Sequence, residues 1–318
     1  MIISQLYKGQ GLGNQLWCMA TAYTIAQKKK FPLCVLDKNN EFLGKEIFDF
    51  PQKVFFNPSI IQNYFYEQGY YHPKLKTYIY GFDPDIMNVS PQTEIIGNFQ
   101  SEKYFFEFKN SIKSFFQIKP KIQKLSEQFH QYNVLNIRGG EYKRHKNLLL
   151  PDSYWGHVYN FMKKKSNLPI LCVSDDYRYA KKLFPHLEVV SNDIEQCFAA
   201  IMGATNIALS NSSFSYFPIF LGQPKSNIFA PYQWARFHNS DNLWCSPCNF
   251  YPQWQWVNFH GQIISQDQCS KNVLFTLDEV KQKCLKISFP KPKKEKPFVK
   301  FLKDKIKLLL GLFHWRYQ

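Results

Sequence analysis

The sequence predicts an α/β fold in which two Rossmann-like, doubly wound domains face a central cleft. Near the N-terminus, apolar runs at 2–7 and 33–36 flank a helical pattern over 14–30, which is the order of a βαβ unit. A second alternation of apolar runs and helical stretches begins at Val134. It predicts strands near 134–137, 170–173, 188–190, 206–209 and 228–231 and a helix near 193–203. A chain of 318 residues is long enough to bury the cores of two such domains.

The same alternations set the expected domain boundaries. Residues 1–130 form the N-terminal domain, in which 40–100 is expected to hold mainly loops and short helices with a strand near 94–97, and 101–130 is expected to be helical. Residues 131–280 form the C-terminal domain. Residues 281–318 form a basic Pro/Lys linker followed by an amphipathic helix.

The basic charge of the chain is concentrated in its tail. The formal net charge is +16, and residues 281–318 hold 12 Lys and Arg against 2 Asp and Glu, a balance of +10. The body therefore carries only +6 and shows no basic stripe, so a nucleic-acid partner is not expected. A mildly basic body suits a diphosphate ligand without requiring one.

The tail has the pattern of a basic amphipathic helix behind a stiff linker. Residues 290–297 are rich in Pro and Lys. Beyond them, apolar residues recur at helical spacing, and lysines fall on the other faces: Phe298, Phe301, Leu302, Ile306, Leu309, Leu310 and Phe313, with Lys300, Lys303 and Lys307. Such a helix suits an anionic membrane surface, contacted through residues 298–316. Docking onto the protein's own N-terminal domain is the alternative.

The N-terminus and the cysteines indicate a cytoplasmic protein, held peripherally at the inner face of the cytoplasmic membrane by the tail. Residues 1–5 lack the basic n-region of a signal peptide, and no run of about 18 apolar residues occurs. Four cysteines fall in apolar segments, as free core cysteines do in a reducing compartment: Cys18, Cys34, Cys172 and Cys197. Cys245 and Cys248 could bind zinc together with His238 or Cys269, but a second Cys-x-x-Cys is missing, so no metal is expected.

Three strands of the second domain end in polar residues suited to an anionic ligand. The first ends in Arg138, the second in Asp175 and Asp176, and the fourth runs into the polar turn 210–213. Ligands of open α/β sheets bind outside the carboxyl ends of the strands, so these groups are expected to share one site. The hydroxyl and N–H groups of the turn suit a phosphate, or they only cap the helix that follows.

Each charged group at these strand ends has a second possible role. Arg138 offers a planar fork that binds phosphate at two points, or it pairs with Glu141 or a surface carboxylate. One of the two carboxylates is expected to cap the helix that begins near Tyr177, and Asp175 is favoured for the nucleotide.

A glycine-rich segment stands at the start of the first predicted helix. Gly11 and Gly13 let the backbone approach a ligand at a helix N-terminus, or they only allow a tight turn. The third spaced glycine of a dinucleotide fingerprint is absent.

Four blocks, in this order along residues 1–260, resemble the family 11 glycosyltransferases, the α-1,2-fucosyltransferases that use GDP-fucose. The family has a GGLGNQ-like start, an HxRRxD-like block, a strand ending in Ser-Asp-Asp, and an Asn-Ser-Ser-Phe-Ser-Trp-Trp block. The corresponding residues here are Gly11-Leu12-Gly13-Asn14-Gln15, Asn136-Ile137-Arg138-Gly139-Gly140-Glu141, Ser174-Asp175-Asp176 and Asn211-Ser212-Ser213-Phe214-Ser215-Tyr216-Phe217.

The resemblance implies a GT-B arrangement and metal-independent, inverting transfer of L-fucose from GDP-fucose. The acceptor it implies is the 2-hydroxyl of a galactose-like residue in a bacterial surface glycan or lipid-linked oligosaccharide, held on the N-terminal side. Arg138 corresponds to the arginine at the donor diphosphate, and Glu141 either orients it or takes the acceptor proton. The donor-binding positions implied are Gly11, Gly13, Asn14, Asn136, Arg138, Asp175, Asn211, Ser212 and Ser213.

The match departs from the family pattern at the donor site. The family's His falls on Asn136, its second Arg on Gly139, its Asp on Glu141 and its Trp pair on Tyr216 and Phe217. Asn136 can donate and accept a hydrogen bond, but it cannot transfer a proton. Two alternatives stay open: transfer of another GDP-linked deoxysugar, and a nucleotide-sugar-binding module that has lost catalysis.

A metal-dependent transferase is a further alternative, because such enzymes hold their metal on an Asp-x-Asp motif. Asp83-Pro84-Asp85 is the only such motif in the chain. Its central Pro favours a turn instead.

Overall fold

The computed structural model describes residues 1–51, 53–58, 60–72, 77–144, 148–191, 193–232, 251, 253–265, 267–269, 271 and 282–288. Within these ranges the strands, in chain order, are β1 (Ile2–Gln5), β2 (Leu33–Leu36), β3 (Phe48–Asp49), β4 (Asn63–Tyr66), β5 (Gln68–His72), β6 (Thr77–Tyr80), β7 (Thr93–Ile96), β8 (Gln117–Ile118), β9 (Asn133–Ile137), β10 (Ile170–Ser174), β11 (Glu188–Ser191), β12 (Asn206–Leu209), β13 (Asn227–Pro231), β14 (Gln255–Val257), β15 (Ile263–Ile264) and β16 (Leu285–Ser288). The helices are α1 (Leu12–Lys29), α2 (Lys109–Phe115), α3 (Pro120–Glu127), α4 (Asp152–Lys165), α5 (Tyr177–Leu183), α6 (Ile194–Gly203) and α7 (Tyr216–Leu221).

The N-terminal half is built on a parallel sheet with the strand order β2-β1-β7-β4. Helix α1 makes the crossover from β1 to β2, and Lys30, which follows it in a left-handed conformation (φ 55°), caps its C-terminal end. From β1 the chain adds β2 on one side of the sheet, and β4 and β7 later join on the other side. The topological switch point therefore lies between β1 and β7.

The C-terminal half is built on a larger sheet with the order β11-β10-β9-β12-β13-β14-β15. All of its pairings are parallel except that of β14 with β15. The first six strands follow the 3-2-1-4-5-6 order of a doubly wound nucleotide-binding sheet, with β9 as the first strand of the fold. Its switch point lies between β9 and β12. The predicted α/β fold with two doubly wound parallel sheets is thus confirmed.

Alternate residues of the central strands pack into different cores, because side chains along a strand point to opposite faces. Val134 of β9 joins the larger core, which also holds α1, α6 and α7. Leu135 and Ile137 of the same strand join the core beneath α4 and α5. With both faces covered, β9 is buried along its whole length.

An aromatic cluster joins the two halves. The ring of Trp17 in α1 lies 4.3 Å from that of Tyr216 in α7 and 5.3 Å from that of Phe217. The Tyr216 hydroxyl donates to the Glu102 carboxylate at 2.8 Å. Each aromatic pair of this kind adds about 0.5–1.5 kcal/mol beyond burial, so the cluster fixes α7 against α1.

Several sequence-based expectations need correction. The stretch 40–100 contains β3, β4, β5 and β6 in addition to β7. The stretch 101–130 is not one helix, because two 3-10 turns and β8 interrupt it around α2 and α3. Strand β16 falls inside the predicted 281–318 tail and pairs antiparallel with β5. The boundaries at 130/131 and 280/281 stay a prediction.

Two predicted features lie outside the described residues: the amphipathic helix over 298–316, and the possible zinc site of Cys245, Cys248 and His238. None of the six cysteines that the structure describes forms a disulfide, and five of them are buried, including the four expected in the core. No helix within the described ranges is both long and apolar enough to span a bilayer.

Candidate active site

One cleft of about 800 Å³ lies where the switch points of the two sheets face each other. Residues that follow β1 and β7 line it from the N-terminal half, and residues that follow β9, β10 and β12 line it from the C-terminal half. All of the predicted site residues except Asn211 contribute to its lining: Gly11, Gly13, Asn14, Asn136, Arg138, Glu141, Asp175, Ser212 and Ser213. Residues from four separate sequence blocks thus meet at one place.

The N-terminus of α1 provides hydrogen-bond donors to the cleft. Gly11 is its N-cap and offers no side chain to the first-turn N–H groups, and that turn holds no acidic residue. Leu12, Gly13 and Asn14 of the first turn line the cleft. Because the first N–H groups of a helix lack partners within it and carry the positive end of its dipole, this start favours an anion.

The two glycines before α1 have different roles. A Cβ at Gly13 would lie 2.4 Å from both the Phe214 nitrogen and the Ser213 carbonyl carbon. Gly13 therefore allows the start of α1 to pack against the turn after β12, backbone to backbone. A Cβ at Gly11 would meet nothing within 4 Å, so of the two only Gly11 leaves open space for the approach of a ligand.

Gln15, the last residue of the Gly-Leu-Gly-Asn-Gln block, supports the cleft from beneath. Its side chain is fully buried, with Nε2 donating to the Glu41 carbonyl at 2.7 Å and Oε1 accepting from the Leu43 N–H at 3.0 Å. Leu43, although 47% exposed, lines the cleft. Gln15 thus shapes one wall of the site without reaching it, a role that its spacing in the sequence does not reveal.

Arg138 is held between two carboxylates at the mouth of the C-terminal sheet. Its Nη1 lies 2.9 Å from Oδ2 of Asp175, and its Nη2 lies 3.3 Å from Oε1 of Glu141. The Glu141 side chain is 69% exposed, whereas those of Arg138 and Asp175 are only about a quarter exposed. The contact with Glu141 is therefore the one that an incoming phosphate can replace at low cost.

Asp175 and Asp176 differ in their roles. Oδ1 of Asp175 accepts from the Gly139 N–H at 2.8 Å while Oδ2 pairs with Arg138, so Asp175 orients the arginine and keeps its remaining lone pairs for a ligand. Asp176 caps α5 by accepting from the Tyr179 N–H, which confirms that one of the pair is an N-cap. Burial would raise the pKa of Asp176, but hydrogen bonds from Lys143 and Tyr179 outweigh it and hold that pKa below its usual value.

Gly139 and Gly140 bring the β9 loop close to these carboxylates. A Cβ at Gly139 would lie 2.7 Å from the Asp176 Cβ, and one at Gly140 would lie 2.2 Å from Oδ2 of Asp175. The second arginine of the family block has no room at position 139 in this backbone. The two glycines therefore allow the loop after β9 to pack closely against the residues that follow β10.

Tyr142 is a site residue that the sequence motifs do not single out. Its ring lies 5.0 Å from the guanidinium carbon of Arg138, within the range of a cation–π contact. Its hydroxyl donates to the Asn211 carbonyl at 3.3 Å. Tyr142 thus couples the arginine after β9 to the turn after β12.

The remaining predicted donor residues are partly engaged with the protein itself. Asn136 is buried, with Nδ2 donating to the Val173 carbonyl at 3.4 Å and Oδ1 accepting from Ser215 at 2.5 Å. Asn211 is also buried and donates to the Leu148 carbonyl.

The serines of the turn line the cleft but differ in their environment. The Ser212 hydroxyl accepts from the Phe214 N–H, as in the capping alternative. The helix that follows, α7, spans only six residues, and Ser213 stands before it in a 3-10 turn. In this turn Ser213 is the more exposed of the two.

Two further groups are unsuited to reactive chemistry. Cys197 lines the cleft, but burial raises the pKa of its thiol to about 12, so it is not a thiolate nucleophile. Asp83 is buried and accepts from the N–H groups of Gln68 at 2.7 Å and Asp85 at 3.1 Å. Asp83 therefore caps the short 3-10 helix Pro84–Asn88, which agrees with the turn that the Pro of the Asp-x-Asp motif predicts.

Comparisons with known proteins give similarity in overall structure only. No family model and no curated protein matches the chain. A variant of FUT1 from Arabidopsis thaliana in complex with GDP is 10% identical, with a TM-score of 0.45, covering 76% of this chain and 71% of that chain. The fucosyltransferase NodZ from Bradyrhizobium is 10% identical, with a TM-score of 0.40 and coverage of 70% and 93%. NodZ α-1,6-fucosyltransferase co-crystallised with GDP is 11% identical, with a TM-score of 0.42 and coverage of 70% and 92%.

Proposed function

We propose that this protein is a metal-independent, inverting glycosyltransferase that transfers a sugar, L-fucose, from GDP-fucose to a hydroxyl group. One observation carries the proposal: the four blocks that resemble family 11 glycosyltransferases meet in one cleft, at the switch points of both sheets. Brought together there are an arginine, an uncapped helix start and a polar turn. All three can bind phosphate oxygens.

The proposed reaction exchanges one bond to the anomeric carbon for another. The acceptor oxygen attacks this carbon, and the bond to the β-phosphate oxygen breaks, so that GDP leaves toward Arg138 and the start of α1. Glu141 is the candidate base that takes the acceptor proton, since donor phosphate replaces it at Arg138 and frees its carboxylate. Inversion at GDP-β-L-fucose gives an α-linked product.

In this proposal the charge of the leaving diphosphate is met by protein groups. Arg138 supplies a permanent positive charge, and its Nε is buried without a hydrogen-bond partner among the described residues. Asp83 caps the short 3-10 helix that contains Asp85, and neither residue lines the cleft, so the metal-dependent alternative has no Asp-x-Asp motif at the site.

The donor proposal predicts that GDP binds and UDP does not. Asp175 keeps acceptor capacity in the cleft, and guanine presents N1–H and N2–H groups side by side where uracil has only N3–H. Isothermal titration calorimetry with both nucleotides measures this directly. Equal affinities would remove the basis of the proposal.

Turnover assays with GDP-fucose and GDP-mannose, with and without EDTA, complete the test. We expect GDP release, and we expect EDTA to leave its rate unchanged. If EDTA stops the release and Mn²⁺ restores it, the protein is not metal-independent. If the GDP-sugar binds but no GDP is released, the inactive-module alternative is favoured.

We further propose that the acceptor is a galactose-like residue of a surface glycan or lipid-linked oligosaccharide, and that the tail holds the enzyme at the inner face of the cytoplasmic membrane. The support for the acceptor is the resemblance to the family 11 glycosyltransferases. The support for the membrane location is the sequence pattern of residues 298–316, seven apolar positions at helical spacing with lysines on other faces.

Deleting residues 290–318 is expected to abolish binding to anionic liposomes and to leave GDP binding unchanged. Each Lys or Arg near such a surface contributes about 1 kcal/mol, so binding of the full chain should weaken as salt rises. The deletion starts after β16, so the pairing of that strand with β5 is kept. Liposome co-sedimentation measures the effect. A truncated protein that unfolds, or a full chain that ignores anionic liposomes at low salt, would contradict the membrane proposal.

A further inference from the structure

The loop after β7, residues 97–100, brings an uncommitted side chain into the cleft. Asn98 is partly buried and lines the cleft from the N-terminal half. Its backbone N–H is bonded, but within the described part of the chain its carboxamide makes no hydrogen bond. A half-buried carboxamide that faces a cleft with its donors and acceptor unused is suited to a polar ligand.

The backbone of this loop is fixed by a buried carboxylate. Glu67 is 1% exposed, and its Oε2 accepts from the N–H groups of Asn98 at 2.7 Å and Phe99 at 3.1 Å. Its Oε1 accepts from the Tyr104 hydroxyl at 3.0 Å. Phe99 is held at a φ of 48°, which is rare for a bulky residue, and such a conformation persists only where its surroundings enforce it.

Two further contacts fix the position of the loop relative to the donor side. Gln100 donates from Nε2 to Oδ1 of Asn14, in the first turn of α1. A Cβ at Gly97 would lie 2.6 Å from the Glu67 Cβ, so the loop cannot shift toward β4. The bond to Asn14 therefore ties the loop to the start of α1, which belongs to the proposed diphosphate site.

The chemistry of the loop differs from that of the opposite wall. Residues 97–100 are Gly-Asn-Phe-Gln and carry no cation, whereas Arg138 stands on the other sheet. A neutral carboxamide binds weakly to phosphate, but it donates and accepts at once, as neighbouring hydroxyl groups require.

We propose that loop 97–100 is the acceptor subsite, in which Asn98 binds a hydroxyl pair of a pyranoside and Glu67 is the residue that positions it. The inference rests on the proposed glycosyltransferase function and adds a place and a residue for the second substrate. Glu67 acts through the backbone of Asn98 and does not itself touch the acceptor.

The test for Asn98 measures its effect on use of the acceptor separately from its effect on binding of the donor nucleotide. GDP release from GDP-fucose is measured with the methyl β-glycosides of galactose, glucose and N-acetylglucosamine, and GDP affinity is measured by calorimetry. Asn98→Ala is expected to raise the acceptor KM at least tenfold and to leave the Kd for GDP within twofold. Asn160→Ala, a matched change at an exposed position of α4, should alter neither.

The test for Glu67 uses a rescue. Glu67→Ala should raise the acceptor KM as Asn98→Ala does, with a smaller change in kcat. Glu67→Gln should restore it to within about threefold, because the amide oxygen still accepts from the loop N–H groups while the Tyr104 hydroxyl donates to the Gly81 carbonyl at 3.1 Å. Should the Ala variant fail to fold, Glu67→Gln and Asn98→Ala still decide the question.

The outcomes distinguish this inference from the proposed function. If Asn98→Ala weakens GDP binding as much as acceptor use, or if no methyl glycoside accelerates GDP release, the acceptor subsite is wrong while GDP binding stands. A wild-type protein that does not bind GDP would overturn the proposed function first.

Discussion

Replacing Arg138 with Ala is expected to lower the rate of sugar transfer by roughly 150-fold while the protein stays folded. A charge-assisted contact to the leaving group contributes about 3 kcal/mol to the transition state, and each 1.36 kcal/mol is a factor of ten in rate. The fold should survive because Asp175 keeps its bond to the Gly139 N–H, and because Arg138 lies at the cleft and not in a core. The measurement is kcat/KM for GDP release, with thermal melting as the check on folding.

Two further variants make this prediction specific. Arg138→Lys should recover little activity, since an ammonium group cannot bind Asp175 and a phosphate through one planar fork. Arg178→Ala removes an exposed arginine of α5 that does not line the cleft and should leave activity unchanged. Near-normal turnover by Arg138→Ala would mean that the arginine only pairs with its neighbouring carboxylates.

The strand ends that form the cleft could be predicted because the central strands are buried on both faces. β9 and β12 are short, mainly apolar segments that are followed by a polar residue, so their carboxyl ends can be located in the sequence. β4 was not predicted because Asn63–Tyr66 forms an edge of its sheet with its first two residues exposed, and its burial does not alternate.

The partners of the site residues could not be predicted, because they depend on the register between distant strands. Ser174 of β10 is level with Ile137 of β9, and this register places Asp175 beside Arg138. The sequence fits equally well with the alternative in which Arg138 pairs only with Glu141. Gln15 and Asn98 were missed as determinants of the cleft for the same reason, since their roles depend on contacts with residues far along the chain.

The separate roles of Gly11 and Gly13 could not be predicted from the sequence either. The spacing of Gly11 and Gly13 indicates a helix start at which a ligand binds, but it does not show which glycine packs against protein. The open space at Gly11 and the Ser213–Phe214 backbone against Gly13 separate the two roles.

Replacing Gly13 with Ala is expected to destabilise the protein by about 3 kcal/mol or more, because the new Cβ would lie 2.4 Å from backbone atoms of Ser213 and Phe214 that cannot move without displacing the turn after β12. The direction of the change in unfolding free energy is informative, since Gly→Ala inside a helix otherwise stabilises by about 0.5–1 kcal/mol.

Gly156→Ala in α4, where nothing lies within 4 Å, is the matched control and should raise the melting temperature. Gly11→Ala should leave stability nearly unchanged and weaken GDP binding. Urea unfolding and thermal melting of the three variants measure the changes in stability, and calorimetry measures GDP binding. A Gly13→Ala protein as stable as the wild type would show that the start of α1 and the Ser213–Phe214 turn are not packed together as described. The contact that holds these two walls of the cleft against each other would then be wrong.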